Sequence, residues 1–316
     1  MPNTIDGFLI GNAQDEKNLT GATVIICKDG MVAGVDVRGG SPGTRETDLL
    51  NPVNTVDKVH AVVLSGGSAF GLAASSGVMK YLYENGVGFD TGFVKVPIVC
   101  QCVLYDLPVG EKFAFPDEKM GFIACENAGN SFEVGNFGAG TGATIGKIKG
   151  NPYTMKSGLG YAKLFTQNGI EVAAIVAVNA LGDVYENSKI IAGCLGEDKR
   201  TFADTNKILI NLKQEKKWSG ENTTIGAIMT NANLTKPQMK KVAQMAHDGY
   251  ARAISPVHTT LDGDTIFALS TAKVEGSVDI VGQLGALAMQ QAIVNAVKSA
   301  KSVENFISYS DLISKQ

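Results

Sequence analysis

The chain has 316 residues, of which 44% are hydrophobic and 19% are charged. This composition is typical of a folded protein with a large core and excludes a chain that is mostly disordered. The net charge of -3 excludes the basic footprint of a nucleic-acid-binding protein. The 37 glycines follow no period, which excludes collagen and predicts many tight turns.

Short apolar runs rich in β-branched residues predict strands in the first two thirds of the chain. These predicted strands are Ala22–Cys27, Met31–Val37, His60–Leu64, Val96–Leu104 and Glu171–Val178. Small and apolar residues at helical spacing predict a helix over Ser68–Glu84, and a second helix is expected over Thr201–Leu212.

The last third of the chain has clearer patterns. Strands are predicted over Thr224–Thr230 and Thr265–Ser270. Between them, Thr235-Lys-Pro-Gln forms a capping box with proline in the first turn, which predicts a helix to about Ile254. The apolar segment Val278–Ala300 predicts a long buried helix. This succession of strands and helices indicates an α/β or α+β layered fold in a single domain, residues 1–316.

Several features bear on location and redox state. The first residues lack a basic start followed by an apolar run, so no signal peptide is predicted. No stretch approaches the roughly 20 apolar residues of a spanning helix, and we expect a cytoplasmic protein with no membrane partner. The five cysteines lie in apolar contexts and are predicted to be buried free thiols. The Cys100-x-Cys102 pair lacks zinc-site spacing, so no metal is expected.

A glycine-rich segment runs from Phe137 to Lys147. It resembles a phosphate loop, but a P-loop requires glycine and Ser or Thr where this chain has Thr141 and Ile148. Two interpretations remain open. The glycines serve sharp turns between elements, or they allow the backbone and Lys147 to approach a ligand closely.

A polar, loop-like stretch, Lys213–Asn222, precedes Thr223 and a predicted strand. A break before Thr223 would give one residue both a hydroxyl and a free α-amine. An α-amine has a pKa near 8, so it can accept the hydroxyl proton at neutral pH. Taken alone, the same residues favour the start of an ordinary strand.

A set of motifs in a fixed order carries a family resemblance. They are Thr20-Gly-Ala-Thr23, Asp36-Val-Arg-Gly-Gly40, Leu64-Ser-Gly-Gly67, Tyr105-Asp106, Gly140–Lys147, Val178-Asn179, Asn222-Thr-Thr-Ile225 and His258–Ala268. Together they resemble the L-aminopeptidase/D-esterase family, in particular its nylon-oligomer hydrolase branch. The family also includes β-peptidyl aminopeptidases.

The resemblance implies an αββα sandwich, as in ornithine acetyltransferases. It implies self-processing between Asn222 and Thr223 into Met1–Asn222 and Thr223–Gln316. It also implies hydrolysis of a small amide or peptide substrate by an N-terminal nucleophile, with no metal or organic cofactor. A homo-oligomer, expected to be a tetramer, is implied as well.

Residue roles follow from the matching positions. Thr223 matches the nucleophile, and Asp262 and Asp264 match an acidic pair that orients it. Lys147 matches a lysine near the nucleophile, and Asn179 matches an asparagine suited to donate a hydrogen bond to the oxyanion. Two further residues matter less. Tyr105 matches a pocket tyrosine that contacts substrate or packs in the core, and His258 is expected to brace the turn before Asp262.

Three other functions stay open. The chain could be an aminopeptidase or β-peptidyl aminopeptidase with amide or ester substrates, or an acyltransferase of similar fold. The third alternative is an unprocessed and inactive scaffold, because an uncut chain has no free amine on Thr223.

Overall fold

The computed structural model describes residues 1–212 and 222–314. Within these residues, the helices are α1 (Ala74–Glu84), α2 (Glu118–Glu126), α3 (Thr205–Ile210), α4 (Lys236–Ala253), α5 (Val278–Ser299) and α6 (Tyr309–Ile313). The strands are β1 (Leu9–Asp15), β2 (Thr20–Val37), β3 (Thr44–Arg45), β4 (Lys58–Ser65), β5 (Phe89–Asp90), β6 (Lys95–Val96), β7 (Val99–Val103), β8 (Thr144–Ile145), β9 (Met155–Lys156), β10 (Leu159–Phe165), β11 (Glu171–Asn179), β12 (Asp183–Glu186), β13 (Lys189–Ala192), β14 (Thr223–Asn233), β15 (Ile254–Ser255) and β16 (Thr265–Glu275).

The long strand β2 connects two halves of the large sheet, whose order is β10-β11-β14-β16-β2-β4-β7-β3, with β1 beside β2. The first part of β2, up to Ile26, pairs with β1 and β4, whereas Val32–Val37 pairs with β16. The register of β2 and β4 shifts between Ile26 and Met31. Such an irregularity bends a strand and increases its twist, so one strand takes part in two layers.

A buried apolar layer lies between the two halves of the sheet. Its residues include Ile175 of β11 and Phe267 of β16 from one half, and Val62 of β4 and Cys100 of β7 from the other. All four are at most 1% exposed. Because successive side chains of a strand point to opposite faces, the residues between them face the outer layers.

Helices cover both outer faces. Alternate residues of β11, β14 and β16 pack against α4 and α5 in one cluster, and alternate residues of β2, β4 and β7 pack against α1 and α2 in another. The order of layers is therefore helix, sheet, sheet, helix. This arrangement confirms the predicted αββα sandwich.

The crossover from β14 through α4 to β16 places the ends of several strands together. β14 and β16 are parallel, with Ile225 opposite Thr265. β11 is antiparallel to β14, with Asn179 opposite Thr223. The starts of β14 and β16 and the end of β11 therefore meet at one end of the sheet, directly beside the predicted nucleophile.

Most of the predicted elements are present, with corrected bounds. The two strands predicted over Ala22–Cys27 and Met31–Val37 are one strand, β2. The helix predicted from Ser68 begins with a 3-10 turn, Ser68–Ala73, before α1. The helix predicted over Thr201–Leu212 is shorter, because it begins only where the Asp204 side chain caps it. The strands β1 and β10 and the helix α2 were not predicted.

Two predictions concern the last third of the chain. α4 begins in the predicted capping box, where Thr235 N donates to Gln238 Oε1 at 2.8 Å. α5 is long and apolar enough to cross a membrane by length and composition, contrary to the expectation that no segment would be, but 61% of its most apolar window is buried in the fold. The polar loop predicted over Lys213–Asn222 lies outside the described residues, except for Asn222.

Candidate active site

Thr223 begins β14 and is only 4% exposed. Its Oγ1 donates a hydrogen bond to the carbonyl oxygen of Asn222, the residue before it. The backbone N–H of Gly263 lies 3.1 Å from both Thr223 Oγ1 and Asn222 O. The Thr223 hydroxyl, the carbonyl of the preceding residue and a backbone donor are thus in mutual contact.

Only glycine fits at position 263. A Cβ there would lie 2.8 Å from Thr223 Oγ1 and 2.7 Å from Ser41 O. The second of these atoms belongs to the backbone, which cannot rotate away as a side chain can. The glycine in Asp262-Gly-Asp264 is therefore required by the close approach of this turn to Thr223.

Asp264 is 1% exposed and accepts hydrogen bonds on both carboxylate oxygens. Oδ1 accepts from Thr224 N at 2.7 Å. Oδ2 accepts from the backbone N–H of His258 at 3.1 Å and lies 2.8 Å from His258 Nδ1. Asp264 thereby ties the turn to the residue that follows Thr223 and fixes where β14 begins.

Asp262 is 2% exposed and takes its donors from its own turn. Its Oδ2 accepts from Thr259 N at 2.7 Å and from Thr259 Oγ1 at 2.6 Å. Burial, together with the charge of Asp264, raises the pKa of Asp262 to about 6, although the Thr259 hydrogen bonds and Lys147 act in the opposite direction. Since two close carboxyls resist ionising together, this pair can hold a proton near neutral pH.

Asn179, at the end of β11, faces Thr223 from the other side. Its Oδ1 accepts from Lys147 Nζ at 2.7 Å and from Thr144 N at 3.0 Å. Its Nδ2 donates to the Tyr105 carbonyl at 2.9 Å. These bonds fix the amide orientation, and because an amide group carries two N–H donors, a second N–H remains beyond the bond to Tyr105.

The glycine-rich segment wraps around a buried lysine, Lys156, which is 0% exposed. Its ammonium donates to Gly140 O and Ala143 O, both at 3.0 Å, and also to Ser157 O. Burial lowers the pKa of Lys156 to about 7. The loop therefore binds an internal cation through backbone carbonyls.

Asp106 lies beside the same loop and is 1% exposed. It accepts from Thr20 Oγ1 at 2.8 Å and from Gly67 N at 2.7 Å. Burial raises the pKa of Asp106 to about 6, and Lys147 partly opposes this. A Cβ on Gly142 would lie 2.6 Å from the Asp106 carboxylate, so glycine there permits the contact.

The structure brings the predicted residues Thr223, Asn179, Lys147, Asp262 and Asp264 to one site. Tyr105 joins them through its carbonyl, and its contact with substrate stays a prediction. The contributions of the Gly263 N–H, Asp106 and Lys156 are not predictable from the motifs. His258, which was expected to brace the turn before Asp262, contacts Asp264 at the far end of that turn. Across residues 1–212 and 222–314, no group of three or more His, Cys, Asp or Glu side chains is placed to hold a metal.

Two solved structures share this fold over nearly the whole chain. A β-aminopeptidase of Burkholderia sp. superposes with a TM-score of 0.71 at 18% identity, covering 98% of this chain and 91% of that one. The L-aminopeptidase D-Ala-esterase/amidase of Ochrobactrum anthropi gives a TM-score of 0.68 at 18% identity, covering 94% and 85%. The second is described as a variant of the Ntn hydrolase fold. The chain therefore has the fold of these two enzymes.

The chain belongs to peptidase family S58, whose model matches residues 4–308. An uncharacterized aminopeptidase of Mycobacterium leprae is 38% identical over 315 residues, covering 92% of this chain and 85% of the relative. A 6-aminohexanoate-oligomer endohydrolase of Kocuria sp. is 31% identical over 300 residues, covering 93% and 81%. These findings confirm the resemblance predicted from the motifs and make the chain a hydrolase of amide bonds.

Proposed function

We propose that the chain cuts itself between Asn222 and Thr223 and that the freed Thr223 then hydrolyses amide bonds of short linear substrates. The observation that carries the proposal is the contact of Thr223 Oγ1 with the Asn222 carbonyl, with the Gly263 N–H within 3.1 Å of both oxygens. An ordinary strand start needs no such convergence. This arrangement suits an attack by the Thr223 hydroxyl on the carbonyl of the residue before it.

In the first step, Thr223 Oγ attacks the Asn222 carbonyl carbon and the Gly263 N–H stabilises the oxyanion. The C–N bond breaks, the hydroxyl proton moves to the Thr223 nitrogen, and the peptide becomes an ester. Water then hydrolyses the ester, which restores the hydroxyl and leaves a carboxylate on Asn222. The products are residues 1–222 and residues 223–316.

In the second reaction, the free α-amine of Thr223 accepts the proton of its own hydroxyl as that hydroxyl attacks the substrate carbonyl. The substrate amine leaves with a proton, and its acyl group stays on Thr223 as an ester. Water releases the acyl group with the same amine acting as base. Asn179 donates its second amide N–H to the oxyanion, and Lys147 holds the Asn179 oxygen and adds positive charge.

The substrate class follows from the relatives, some of which are named as aminopeptidases and others as 6-aminohexanoate-oligomer endohydrolases. We take short peptides and linear ω-amino-acid oligomers as the substrates. An assay with 6-aminohexanoate oligomers and with p-nitroanilides of L-amino acids and β-amino acids separates the alternatives. Release of single end units indicates an aminopeptidase, and internal fragments indicate an endohydrolase. Acyl product formed with an added amine would instead indicate an acyltransferase.

The deciding experiment is mass spectrometry of the purified protein together with this assay. Wild-type protein should give two fragments with a second N-terminus at Thr223. Thr223→Ala should stay one species of 33.2 kDa and lose activity by about a thousandfold or more. Thr223→Ser keeps a hydroxyl and should still be cut.

The matched control is the neighbouring Thr224, whose Oγ1 is buried and has no hydrogen-bond partner among the described residues. Thr224→Val keeps the shape and removes the hydroxyl, so it should be cut and active. A wild-type protein that is active as one uncut species would refute self-processing.

A further inference from the structure

Three aromatic side chains lie behind the Asp262–Asp264 pair, and the proposed reaction assigns them no role. The ring of His258 packs against His247 at 4.8 Å between centroids and stacks on Tyr250 at 5.9 Å. His247 and Tyr250 both belong to α4 and are at most 1% exposed. A row of packed rings therefore connects the helix layer to the carboxylate nearest the nucleophile strand.

His258 approaches Asp264 with two groups at once. Its backbone N–H and its Nδ1 both contact Asp264 Oδ2, at 3.1 Å and 2.8 Å. His258 has a φ of +57°, which costs energy for a residue with a side chain. Residues keep such a conformation where their surroundings impose it, and here the conformation directs both donors to one oxygen.

The contacts of the ring determine which nitrogen carries the proton. Nε2 of His258 is buried without a hydrogen-bond partner in the described part of the chain. A proton there would leave a buried N–H unpaired, which costs more than a bare lone pair. The neutral tautomer with the proton on Nδ1 therefore fits the site, and it donates to Asp264.

Several charged or titratable groups of the described residues lie around the ring or beside its neighbours. They are Asp264 and Asp262 in the turn, His247 and Tyr250 on α4, and Asp36 and Arg38 at the end of β2. His247 Nε2 contacts Asp36 O at 3.1 Å, and Arg38 pairs with Asp36 at 2.6 Å. Burial lowers the pKa of His247 to about 3, so that ring is neutral. Because Arg38 is paired with Asp36, its charge does not compete with Asp264 for the ring of His258.

We propose that His258 is a positioning residue: its ring donates from Nδ1 to Asp264 and holds that carboxylate in register with Thr223. This inference rests on the proposed function, because Thr223 is the group being positioned. The hydrogen bonds of His258 go to Asp264 and not to Thr223, so its effect on the reaction is assigned to the position of Asp264.

The test compares two substitutions that both tolerate a positive φ. Asparagine often adopts this conformation, and its Nδ2 is a donor on a short side chain, so His258→Asn should recover most of the rate. His258→Gly keeps the backbone donor and removes the ring donor. We expect it to lower kcat by about ten- to a hundredfold with little change in KM. Lost hydrogen bonding raises the pKa of a carboxyl, so the acidic limb of its kcat profile should move to higher pH.

Two readouts keep the inference and the proposed function apart. Fragment formation by the wild-type chain reports on the proposed function. A wild-type chain that forms no fragments and has no activity overturns both the proposed function and the inference about His258. An active, processed wild type with a His258→Gly variant of equal kcat and equal pH profile overturns the inference alone. If the glycine variant does not fold, nitrogen chemical shifts of His258 in wild-type protein decide. A protonated Nδ1 with a bare Nε2 supports the inference, and the reverse tautomer overturns it.

Discussion

The two sides of Thr223 hold buried charges in different ways. On the β16 side, the carboxylates of Asp262 and Asp264 take donors from residues at most six positions away, apart from the Thr224 N–H. On the β11 side, the ammonium of Lys156 is bound by backbone carbonyls of the glycine-rich loop, 13 and 16 positions away. Asp106 on that side takes donors from segments 39 and 86 positions away.

The difference shows how each half of the site is specified. The β16 side, with Asp262 and Asp264, is here called the acidic side. Its carboxylates are held mainly by donors of their own short turn, so one stretch of sequence encodes most of this side. The β11 side, with Lys156 and Asp106, is here called the basic side. It forms only when β2 and β4, the glycine-rich loop and β9 have assembled. We therefore expect substitutions of Lys156 and Asp106 to affect the stability of the fold, and substitutions in the Asp262–Asp264 turn to affect the reaction first.

The largest effect on stability is expected at Lys156. Lys156→Met keeps a similar length but removes the donor to Gly140 O, Ala143 O and Ser157 O. Buried carbonyls without donors are costly, so the free energy of unfolding should fall by about 2–4 kcal/mol. Urea denaturation at neutral pH measures the change.

The matched control for this change is Lys163, on the neighbouring strand β10. Its side chain is 30% exposed and pairs with Glu171 at 3.6 Å. Pairs of this kind contribute little, so Lys163→Met should change the free energy of unfolding by about 0.5 kcal/mol. Equal losses in the two variants would show that the loop does not depend on its internal cation.

The next effect is expected at Gly263, on the acidic side. Gly263→Ala brings a methyl group within 2.8 Å of Thr223 Oγ1 and forces the turn or the hydroxyl to move. A displacement of this size at a reacting group slows a reaction by about ten- to a hundredfold. The rate at which uncut chain disappears after synthesis measures it.

Gly129 supplies the control, because a Cβ there meets its nearest heavy atom only at 3.7 Å. Gly129→Ala should be cut at the wild-type rate. A Gly263→Ala chain that is cut as fast as the control would contradict the close packing of the turn against Thr223. Reduced stability with an unchanged rate would break the proposed contrast between the two sides.

Much of the fold was readable from the sequence, and the misses have physical causes. α4 was predicted closely because its capping box and its proline are local signals. β1 and β10 were missed because Gly11 and Gly160 interrupt their apolar patterns. Those glycines allow close packing: a Cβ would lie 2.0 Å from Ala124 O at Gly11 and 2.0 Å from Ala292 O at Gly160. Such contacts with distant helices exist only in the assembled layers.

The site divides in the same way. The motif His258–Asp264 could be recognised because its residues are adjacent, and the resemblance placed it beside Thr223. The hydrogen bonds between Lys156 and the glycine-rich loop could not be predicted, since a lysine in a short strand is ordinarily exposed. The role of the Gly263 N–H was equally hidden, because a backbone donor has no residue-type signature.

The smallest effect is a pH dependence of stability with opposite signs at two buried groups, Asp106 beside the glycine-rich loop and His247 on α4. Burial raises the pKa of Asp106 to about 6 from an ordinary value of 3.8. The folded state thus binds a proton that the unfolded state has lost, and stability from this group is complete below the ordinary value and is lost as pH rises through about 6. His247 behaves in the reverse sense. Its pKa falls to about 3 from 6.5, so its contribution is present above the ordinary value and is lost as pH falls toward about 3.

The contribution of each group is obtained from the difference in free energy of unfolding between variant and wild type, compared at two pH values. Any cost of the substitution that does not depend on pH cancels in this comparison. From about pH 4 to about pH 7, the free energy of unfolding of Asp106→Asn should rise relative to wild type by about 1–3 kcal/mol. Over the same range His247→Gln should fall relative to wild type, because the variant lacks a group that gains stability with pH. Urea denaturation at the two pH values measures both differences. If both differences change in the same direction, the opposite pKa shifts assigned to Asp106 and His247 are contradicted.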